Sequence, residues 1–145
     1  FLDDFCGSGY QFNKFIKQKD IESLSKDVRF IYCPLAAHVD GISRIETKYP
    51  FIKVVPVEIL TKTNEFFYTC DRGYFRGDMT NSLEDAKDFY KSYCGERFEN
   101  SKYLMGMSSQ SLTYSFFFSC PNNNLKALYH EQGKEWKRLL FRGKS

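Results

Sequence analysis

The stretch VRFIYCPLAAHVDGISRIETKYPFIKVVPVEIL, residues 28–60, places one amphipathic segment between two apolar runs. Residues 28–35 form a short run rich in β-branched and aromatic side chains, which is typical of a buried strand. In residues 38–48 an apolar side chain recurs at three-residue spacing, which predicts a helix. Residues 52–60 are again apolar and β-branched, so the whole stretch predicts a strand, a helix and a second strand.

Two prolines lie in these apolar runs, and proline lacks the N–H group that a strand residue donates to its neighbour. We expect Pro34 to lie near the end of the first strand, where that donor is least missed. We expect Pro56 to mark a sheet edge or a bulge in the second strand.

The segment upstream extends this pattern. Phe1 and Leu2 are predicted to end a buried strand, and residues 11–24 carry apolar side chains on one helical face. The complete order is strand, helix, strand, helix, strand, which is typical of βαβ units with parallel strands. We therefore predict an α/β fold with a Rossmann-like core, in which helices flank a parallel sheet.

The pattern changes in the second half of the chain. Residues 61–80 are irregular, whereas residues 81–93 begin with helix-capping residue types and are predicted to form a helix. Gly95 is the expected stop signal of that helix. We predict a strand over residues 111–118, a Pro-Asn turn after it, and a tail, residues 131–141, that packs back on the domain.

The bulk composition indicates a folded protein. The chain has 145 residues, of which 42% are hydrophobic and 27% charged, and these values argue against disorder. We predict a single domain over residues 1–145, with a βαβαβ core in residues 1–60 and an α+β extension in residues 61–145 packed on it. The net charge of +3 fits an anionic small ligand, and no Lys/Arg block is dense enough for a nucleic-acid arm.

The cysteines are odd in number, widely spaced and without a CxxC pair. This pattern argues against a disulfide framework and against a zinc site, so we predict reduced thiols, no metal-ligating cluster and a cytoplasmic location. No stretch is apolar and long enough to span a membrane, so no membrane partner is predicted. The cysteines are Cys6, Cys33, Cys70, Cys94 and Cys120.

Two adjacent carboxylates and a small-residue loop separate the first predicted strand from the first predicted helix. Asp3 and Asp4 precede the loop of Gly7, Ser8 and Gly9. The backbone N–H groups of such a loop and the amino end of the helix bind a phosphate, and glycines let the backbone approach it closely. The carboxylates can accept hydrogen bonds from two sugar hydroxyls, or hold Mg²⁺ through water. Open α/β sheets bind their ligands at this end of the strands.

Other interpretations of this loop are open. A short Gly-Ser-Gly also occurs as an ordinary turn between a strand and a helix. The loop has neither the GxxxxGK[ST] pattern of a Walker loop nor the third glycine of a dinucleotide fingerprint. Cys6 lies near a helix start, which lowers a thiol pKa, but no motif pairs it with a histidine. The alternative for Cys6 is a buried small residue.

Several other candidates also have a structural alternative. His38 and Asp40 can perform acid–base chemistry in the same cleft, or they can cap the second helix. An amide of residues 122–124 can contact a base edge or a phosphate, or the three asparagines can simply form a turn. The aromatic run at residues 116–118 and Trp136 are expected in the core rather than on a stacking surface.

The opening stretch FLDDFCGSGYQ, residues 1–11, resembles the phosphoribosyl-pyrophosphate-binding motif of type I phosphoribosyltransferases. That motif has a hydrophobic strand end, two acidic residues, two variable residues, two small residues and a glycine. The resemblance implies that the acidic pair contacts the ribose hydroxyls and that the loop and its following amides hold the 5′-phosphate. The implied binding residues are Asp3, Asp4, Cys6, Gly7, Ser8, Gly9, Tyr10 and Gln11.

A second resemblance covers most of the chain. The chain is similar to PRTase-CE, a bacterial phosphoribosyltransferase-like group associated with conflict and defence systems, including some retron operons. The shared features are the DDF-x-GSG opening, a glycine- and serine-bearing segment at residues 106–111, the Pro-Asn-Asn turn at residues 121–123, and the Trp-to-Arg ending at residues 136–142.

The resemblance implies a domain that binds phosphoribosyl pyrophosphate with Mg²⁺, or a related ribose 5-phosphate or nucleotide. One hypothesis is transfer of the phosphoribosyl group to a base in anti-phage defence, and the alternative is a non-catalytic nucleotide sensor or effector module. Retron association would imply a reverse transcriptase or non-coding RNA as partner. Type I enzymes carry their pyrophosphate and mobile catalytic loops upstream of the acidic motif, so we expect this chain to be the C-terminal part of a longer protein. No catalytic residue, acceptor base or oligomeric state is predicted.

Overall fold

A computed structural model describes residues 1–68, 73–98, 103–132 and 136–142. The chain divides into two compact units, Phe1–Thr61 and Lys62–Ser145, here called the N-terminal unit and the C-terminal unit. In the described part of the chain, no helix combines the length and the apolar character that crossing a membrane requires. Cys70 lies outside the described residues, and the other four cysteines are free thiols.

The N-terminal unit is a parallel sheet with two helices between its strands. Every strand pair is parallel, and β2 lies between β1 on one side and both β3 and β4 on the other. The predicted α/β class with a parallel sheet is therefore confirmed. The elements are β1 (Leu2–Cys6), α1 (Tyr10–Gln18), β2 (Phe30–His38), α2 (Val39–Lys48), β3 (Ile52–Val54) and β4 (Glu58–Leu60).

Pro34 and Pro56 lie at an interruption of this sheet, between β3 and β4. β3 pairs with the first residues of β2 and β4 with its last residues, and Pro56 lies in the gap between them. The Val57 N–H donates to the Pro34 carbonyl across this gap, at 3.1 Å. The expectation that Pro34 lies near a strand end was wrong, because β2 continues to His38. Pro34 is tolerated in mid-strand because its missing N–H faces a strand that is itself interrupted.

The first helix is shorter than predicted. α1 ends at Gln18, and a separate 3₁₀ turn covers Ile21–Lys26. Asp20 between them has a left-handed backbone with φ of 48°, which breaks the helical path. Apolar periodicity over residues 11–24 did not reveal this break, because Ile21 is buried in the same core as the side chains of α1.

One hydrophobic core joins the helices and the sheet of the N-terminal unit. The ring of Phe12 on α1 stacks on the ring of Tyr32 on β2, with centroids 3.9 Å apart. Burial of these apolar surfaces holds α1 and α2 on the sheet and so positions the loops at the strand ends. The most buried members are Cys6, Phe12, Ile16, Tyr32, Ala37, Ile45, Tyr49, Ile52 and Val54.

The C-terminal unit contains α3 (Leu83–Arg97) and α4 (Lys126–Tyr129). Ser82 caps α3 in a reciprocal capping box with Asp85, as the residue types predicted. The stop expected at Gly95 was wrong, since this glycine is buried within the helix and the Phe98 N–H still bonds to the Cys94 carbonyl at 2.9 Å.

The strand predicted over residues 111–118 is also absent from the described structure. Leu112 forms only isolated bridges, to Glu65 and Asn124, and Ser111 before it has a φ of 48°. The Phe116 N–H then donates a hydrogen bond to the Ser119 carbonyl at 2.9 Å, so the backbone turns here. The apolar run therefore forms a turn, which β propensity alone did not indicate.

Two segments that the family resemblance singled out meet in the C-terminal unit. The Met107 N–H bonds to the Asn122 carbonyl at 2.8 Å, and the Asn123 side-chain amide donates to Gln110 Oε1 at 2.7 Å. The Asn124 amide donates to the Pro121 carbonyl at 2.9 Å. These contacts confirm the turn interpretation of the asparagine run, because its described bonds are made within the fold.

The tail packs on α4 within the C-terminal unit, in the part that is described. Trp136 Nε1 donates to the Ala127 carbonyl at 3.0 Å. The N–H groups of Leu139 and Leu140 both bond to the Leu128 carbonyl, at 3.0 and 2.8 Å. Residues 133–135 of the predicted tail lie outside the described residues.

Candidate functional site

The small-residue loop lies where parallel sheets hold their ligands. β1 ends at Cys6 and α1 begins at Tyr10, so Gly7, Ser8 and Gly9 form the connection at the carboxyl end of the strand. Gly9 has a φ of 75°, a backbone that glycine adopts without strain. No side chain in the described residues caps the amino end of α1. The first-turn amides and the positive end of the helix dipole are thus open to an anion.

A second glycine, from α2, fixes the position of this loop. A Cβ added to Gly41 would clash with the Gly7 carbonyl oxygen and lie 3.0 Å from Cys6 Sγ. A Cβ added to Gly9 would lie 3.2 Å from the Gly41 carbonyl oxygen. The loop backbone therefore packs directly on the first turn of α2, which restricts its conformation before any ligand binds.

Ser8 brings a hydroxyl to the loop. The residue is only 7% exposed, and its hydroxyl has no hydrogen-bond partner among the described residues. The hydroxyl oxygen is not among the buried side-chain atoms that lack a partner, so it reaches solvent and is available as a donor to a ligand.

The acidic pair lies within β1 and not after it. The strand continues through Phe5 and Cys6, which pair with Ala36 and Ala37 of β2, so the predicted strand end at Leu2 was wrong. The sequence signal for this longer strand is the apolar pair Phe5 and Cys6, which follows the two aspartates. The carboxylates therefore project from a strand that is hydrogen-bonded to β2, and this position is more rigid than a loop.

The two carboxylates differ in their surroundings. Asp3 Oδ2 accepts the Tyr32 hydroxyl at 2.7 Å, and Asp3 Oδ1 accepts the Asp4 N–H at 3.0 Å. Partial burial raises the pKa of the Asp3 carboxyl above its usual value, although the hydrogen bond from Tyr32 opposes this. Asp4 is exposed and forms no ion pair with any described residue. Asp3 is thus held by its neighbours, whereas Asp4 is open to solvent.

A cavity of about 450 Å³ lies beside this pair. It brings Asp3, Asp4 and Gln11 together with an apolar wall, and no described Lys or Arg lines it. The other predicted site residues, Cys6 and residues 7–10, do not line it. The wall consists of Phe1, Leu2, Phe12, Phe15 and Tyr32.

Sequence reasoning missed Arg44. Its guanidinium lies 4.2 Å from the ring centroid of Tyr10, the first residue of α1. Arg44 forms no ion pair with a described residue. The only signal in the sequence was that this arginine lies one helical turn after Gly41. That position points to the site only when the contact between Gly41 and the loop is known.

A family model described as PRTase-CE matches residues 1–142. The chain belongs to the PRTase-CE family. The family resemblance seen in the sequence is therefore confirmed, and the domain is phosphoribosyltransferase-like. Searches of curated proteins and of solved structures gave no match.

Cys6 is not an activated thiol in this PRTase-CE chain. The side chain is 3% exposed, and burial raises its pKa to about 11. The lowering expected from the nearby helix start was wrong, because desolvation of the thiolate outweighs it. The alternative interpretation, a buried small residue, is confirmed.

We expect iodoacetamide to leave Cys6 unmodified in the native protein at pH 8. With a pKa of about 11, roughly one thiol in a thousand is ionised at that pH, and the side chain is also shielded. Peptide mass spectrometry after timed alkylation measures this, with the half-buried Cys33 as internal comparison. Labelling of Cys6 at the rate of Cys33 would contradict the expectation.

His38 caps α2. Its Nδ1 accepts the Asp40 N–H at 3.2 Å, and the side chain is fully buried. The capping interpretation is therefore confirmed for this PRTase-CE chain. Because Nδ1 accepts a backbone N–H, the ring proton of a neutral His38 is placed on Nε2.

Proposed function

We propose that this PRTase-CE chain binds the ribose 5-phosphate moiety of phosphoribosyl pyrophosphate or of a related nucleotide. The observation that carries the proposal is the loop of Gly7, Ser8 and Gly9, which packs on α2 and precedes an α1 amino end that no described side chain caps. The amides of Tyr10 and Gln11 and the Ser8 hydroxyl bind the phosphate.

Asp3 and Asp4 accept hydrogen bonds from the ribose hydroxyls. A carboxylate oxygen has two lone-pair directions, so Asp3 keeps acceptor capacity beside its bonds to Tyr32 and to the Asp4 amide. Hydrogen bonds to an ionised acceptor are shorter and about twice as strong as neutral ones. The pair therefore distinguishes a hydroxylated sugar phosphate from a bare phosphate.

The acidic pair also fits the magnesium that accompanies phosphoribosyl pyrophosphate. Mg²⁺ prefers oxygen ligands and keeps several of its waters, and the exposed Asp4 carboxylate can accept hydrogen bonds from those waters. Bound there, the ion would neutralise pyrophosphate charge. The Asp3 and Asp4 carboxylates themselves orient the sugar.

The reaction open to such a site is displacement at C1 of the ribose. The bond from C1 to the pyrophosphate oxygen breaks with its electron pair on the oxygen, a bond from C1 to a base nitrogen forms, and the proton of that nitrogen passes to water. The sugar-orienting carboxylates would stabilise the positive charge that develops on the ring. No described residue at the site is assigned as general acid.

The alternative, a non-catalytic nucleotide-binding module, is favoured by one observation. Among the residues that the structure describes, no lysine or arginine lines the cavity beside Asp3 and Asp4, whereas a pyrophosphate leaving group needs cationic or amide donors. Release of pyrophosphate from phosphoribosyl pyrophosphate and a panel of bases separates the two functions.

Calorimetry of the full-length protein tests the binding proposal. Phosphoribosyl pyrophosphate with Mg²⁺ and ribose 5-phosphate are titrated in parallel, with ribose as the probe that lacks a phosphate. We expect both phosphates to bind and ribose to bind weakly. If neither phosphate binds, the proposed function is wrong.

We expect Arg44→Gln to weaken the binding of ribose 5-phosphate by about fivefold. The guanidinium lies beside the first residue of α1 and adds positive potential at the phosphate, although solvent screens it. Lys48→Gln is the matched control, because Lys48 is on the same helix and lies 5.5 Å from the ring of a different tyrosine, Tyr49. Equal effects of the two variants would show that only net charge matters.

A further inference from the structure

Tyr32 connects the core of the N-terminal unit to the proposed sugar site. The side chain is 1% exposed, and its ring stacks on Phe12 with the centroids 3.9 Å apart. Its hydroxyl donates to Asp3 Oδ2 at 2.7 Å. The ring is fixed by packing, so the hydroxyl has a defined position from which to hold a partner.

Asp3 is anchored through both carboxylate oxygens. Tyr32 holds Oδ2, and the Asp4 N–H holds Oδ1 at 3.0 Å. An exposed aspartate without such bonds would sample several rotamers and lose that freedom on binding a ligand. The two bonds restrict the carboxylate beforehand, which lowers the entropy loss of contacting a sugar hydroxyl.

We propose that Tyr32 is a positioning residue of the sugar site. Its hydroxyl holds the Asp3 carboxylate in the orientation that accepts a ribose hydroxyl, and its one O–H donor is used in that bond. The proposal rests on the proposed function. It predicts that the sugar-binding and the phosphate-binding parts of the site depend differently on Tyr32. Contact with the sugar requires the hydroxyl, whereas contact of the loop of residues 7–9 with the phosphate does not.

Tyr32→Phe keeps the stacked ring and removes only the hydroxyl. We expect the affinity for ribose 5-phosphate to fall by about tenfold, because Asp3 gains rotamer freedom that the ligand must then restrict on binding. The affinity for inorganic phosphate, which has no sugar, is expected to change by less than about twofold. Both affinities can be measured by NMR titration of the full-length protein, and unchanged phosphate binding also shows that the variant is folded.

Tyr49→Phe is the matched control. Tyr49 is buried in the same core, and its hydroxyl donates to Asn13 Oδ1 at 2.6 Å, away from the acidic pair. If Tyr32 had only a structural role, the two variants would lose affinity for both probes alike, and the proposal would be overturned. The proposal is also overturned if Tyr32→Phe changes neither affinity.

A double-mutant cycle tests whether Tyr32 acts through Asp3. In an Asp3→Asn background, Tyr32→Phe is expected to cause no further tenfold loss, since the group that it positions has already changed. Additive losses would show that the hydroxyl acts elsewhere. If the unmodified protein fails to bind ribose 5-phosphate, the proposed function and this inference fall together, whereas binding that Tyr32→Phe leaves intact overturns the inference alone.

Discussion

Replacement of Asp3 and Asp4 by asparagine is expected to weaken the binding of ribose 5-phosphate by about 100-fold. Two hydrogen bonds from sugar hydroxyls to ionised acceptors become bonds to neutral amides, and each such loss is worth about 1.5 kcal/mol. Inorganic phosphate is expected to bind as well as before or more tightly, because the change removes two negative charges near the phosphate loop. Only the affinity for ribose 5-phosphate should therefore fall.

The same variant is expected to fold normally. Burial raises the pKa of Asp3 in the folded protein, so the folded state favours the protonated carboxyl. For an acid with a raised pKa, the stabilising contribution is present at low pH and is lost as the pH rises through the folded value. Ionisation of Asp3 therefore costs folding free energy, and a neutral asparagine, which still offers an acceptor to the Tyr32 hydroxyl, removes that cost.

Calorimetry with ribose 5-phosphate and NMR titration with inorganic phosphate measure the two responses. Asp20→Asn with Asp27→Asn is the matched control, because both residues are exposed in the same unit and the change in net charge is identical. Unchanged binding of ribose 5-phosphate in the Asp3 and Asp4 variant would show that the acidic pair does not contact the sugar.

Gly106→Ala is expected to destabilise the C-terminal unit by about 3 kcal/mol. Gly106 has φ of 78° and ψ of 170°, a conformation essentially restricted to glycine. A Cβ there would clash with the Asn123 carbonyl oxygen and lie 2.7 Å from that of Asn124. The backbone of the asparagine turn would have to shift, and its bonds to residues 107–112 with it.

Denaturation followed by tryptophan fluorescence measures this loss, because the one tryptophan of the chain, Trp136, lies in the same unit. Gly77→Ala is the matched control: its φ of 76° is nearly the same, but no described residue beyond its two chain neighbours comes within 4 Å of the added Cβ. The control should lose only about 1 kcal/mol, which is the strain of a left-handed alanine. Equal losses would mean that strain, and not the contact with the turn, makes Gly106 necessary.

Local patterns predicted the parallel sheet and the cap of α2 correctly. Apolar runs separated by an amphipathic segment led to the βαβ order, and capping by His38 or Asp40 was one of the two interpretations given for these residues. Two of the failures share one physical cause. The end of α1 at Gln18 and the turn at Phe116 depend on backbone dihedrals and distant hydrogen bonds, which apolar periodicity does not record.

The candidate site was predictable in part. Asp3, Asp4 and the small-residue loop were found from residue types and spacing, since carboxylates and glycines in that order are unusual for an ordinary turn. Tyr32 and Arg44 were not found. Their partners lie 29 residues away in the case of Tyr32 and on a different helix in the case of Arg44.

The sequence by itself determined the class of fold, the family and the loop that is proposed to bind phosphate, because these depend on residue types at short spacing. Only the tertiary structure decided how that opening stretch is held. Folding brings Gly41 against the loop, buries Cys6 so that its pKa rises, and gives Asp3 the Tyr32 hydroxyl as a partner. Burial and long-range hydrogen bonds arise only when distant segments pack together, so no local pattern contains them.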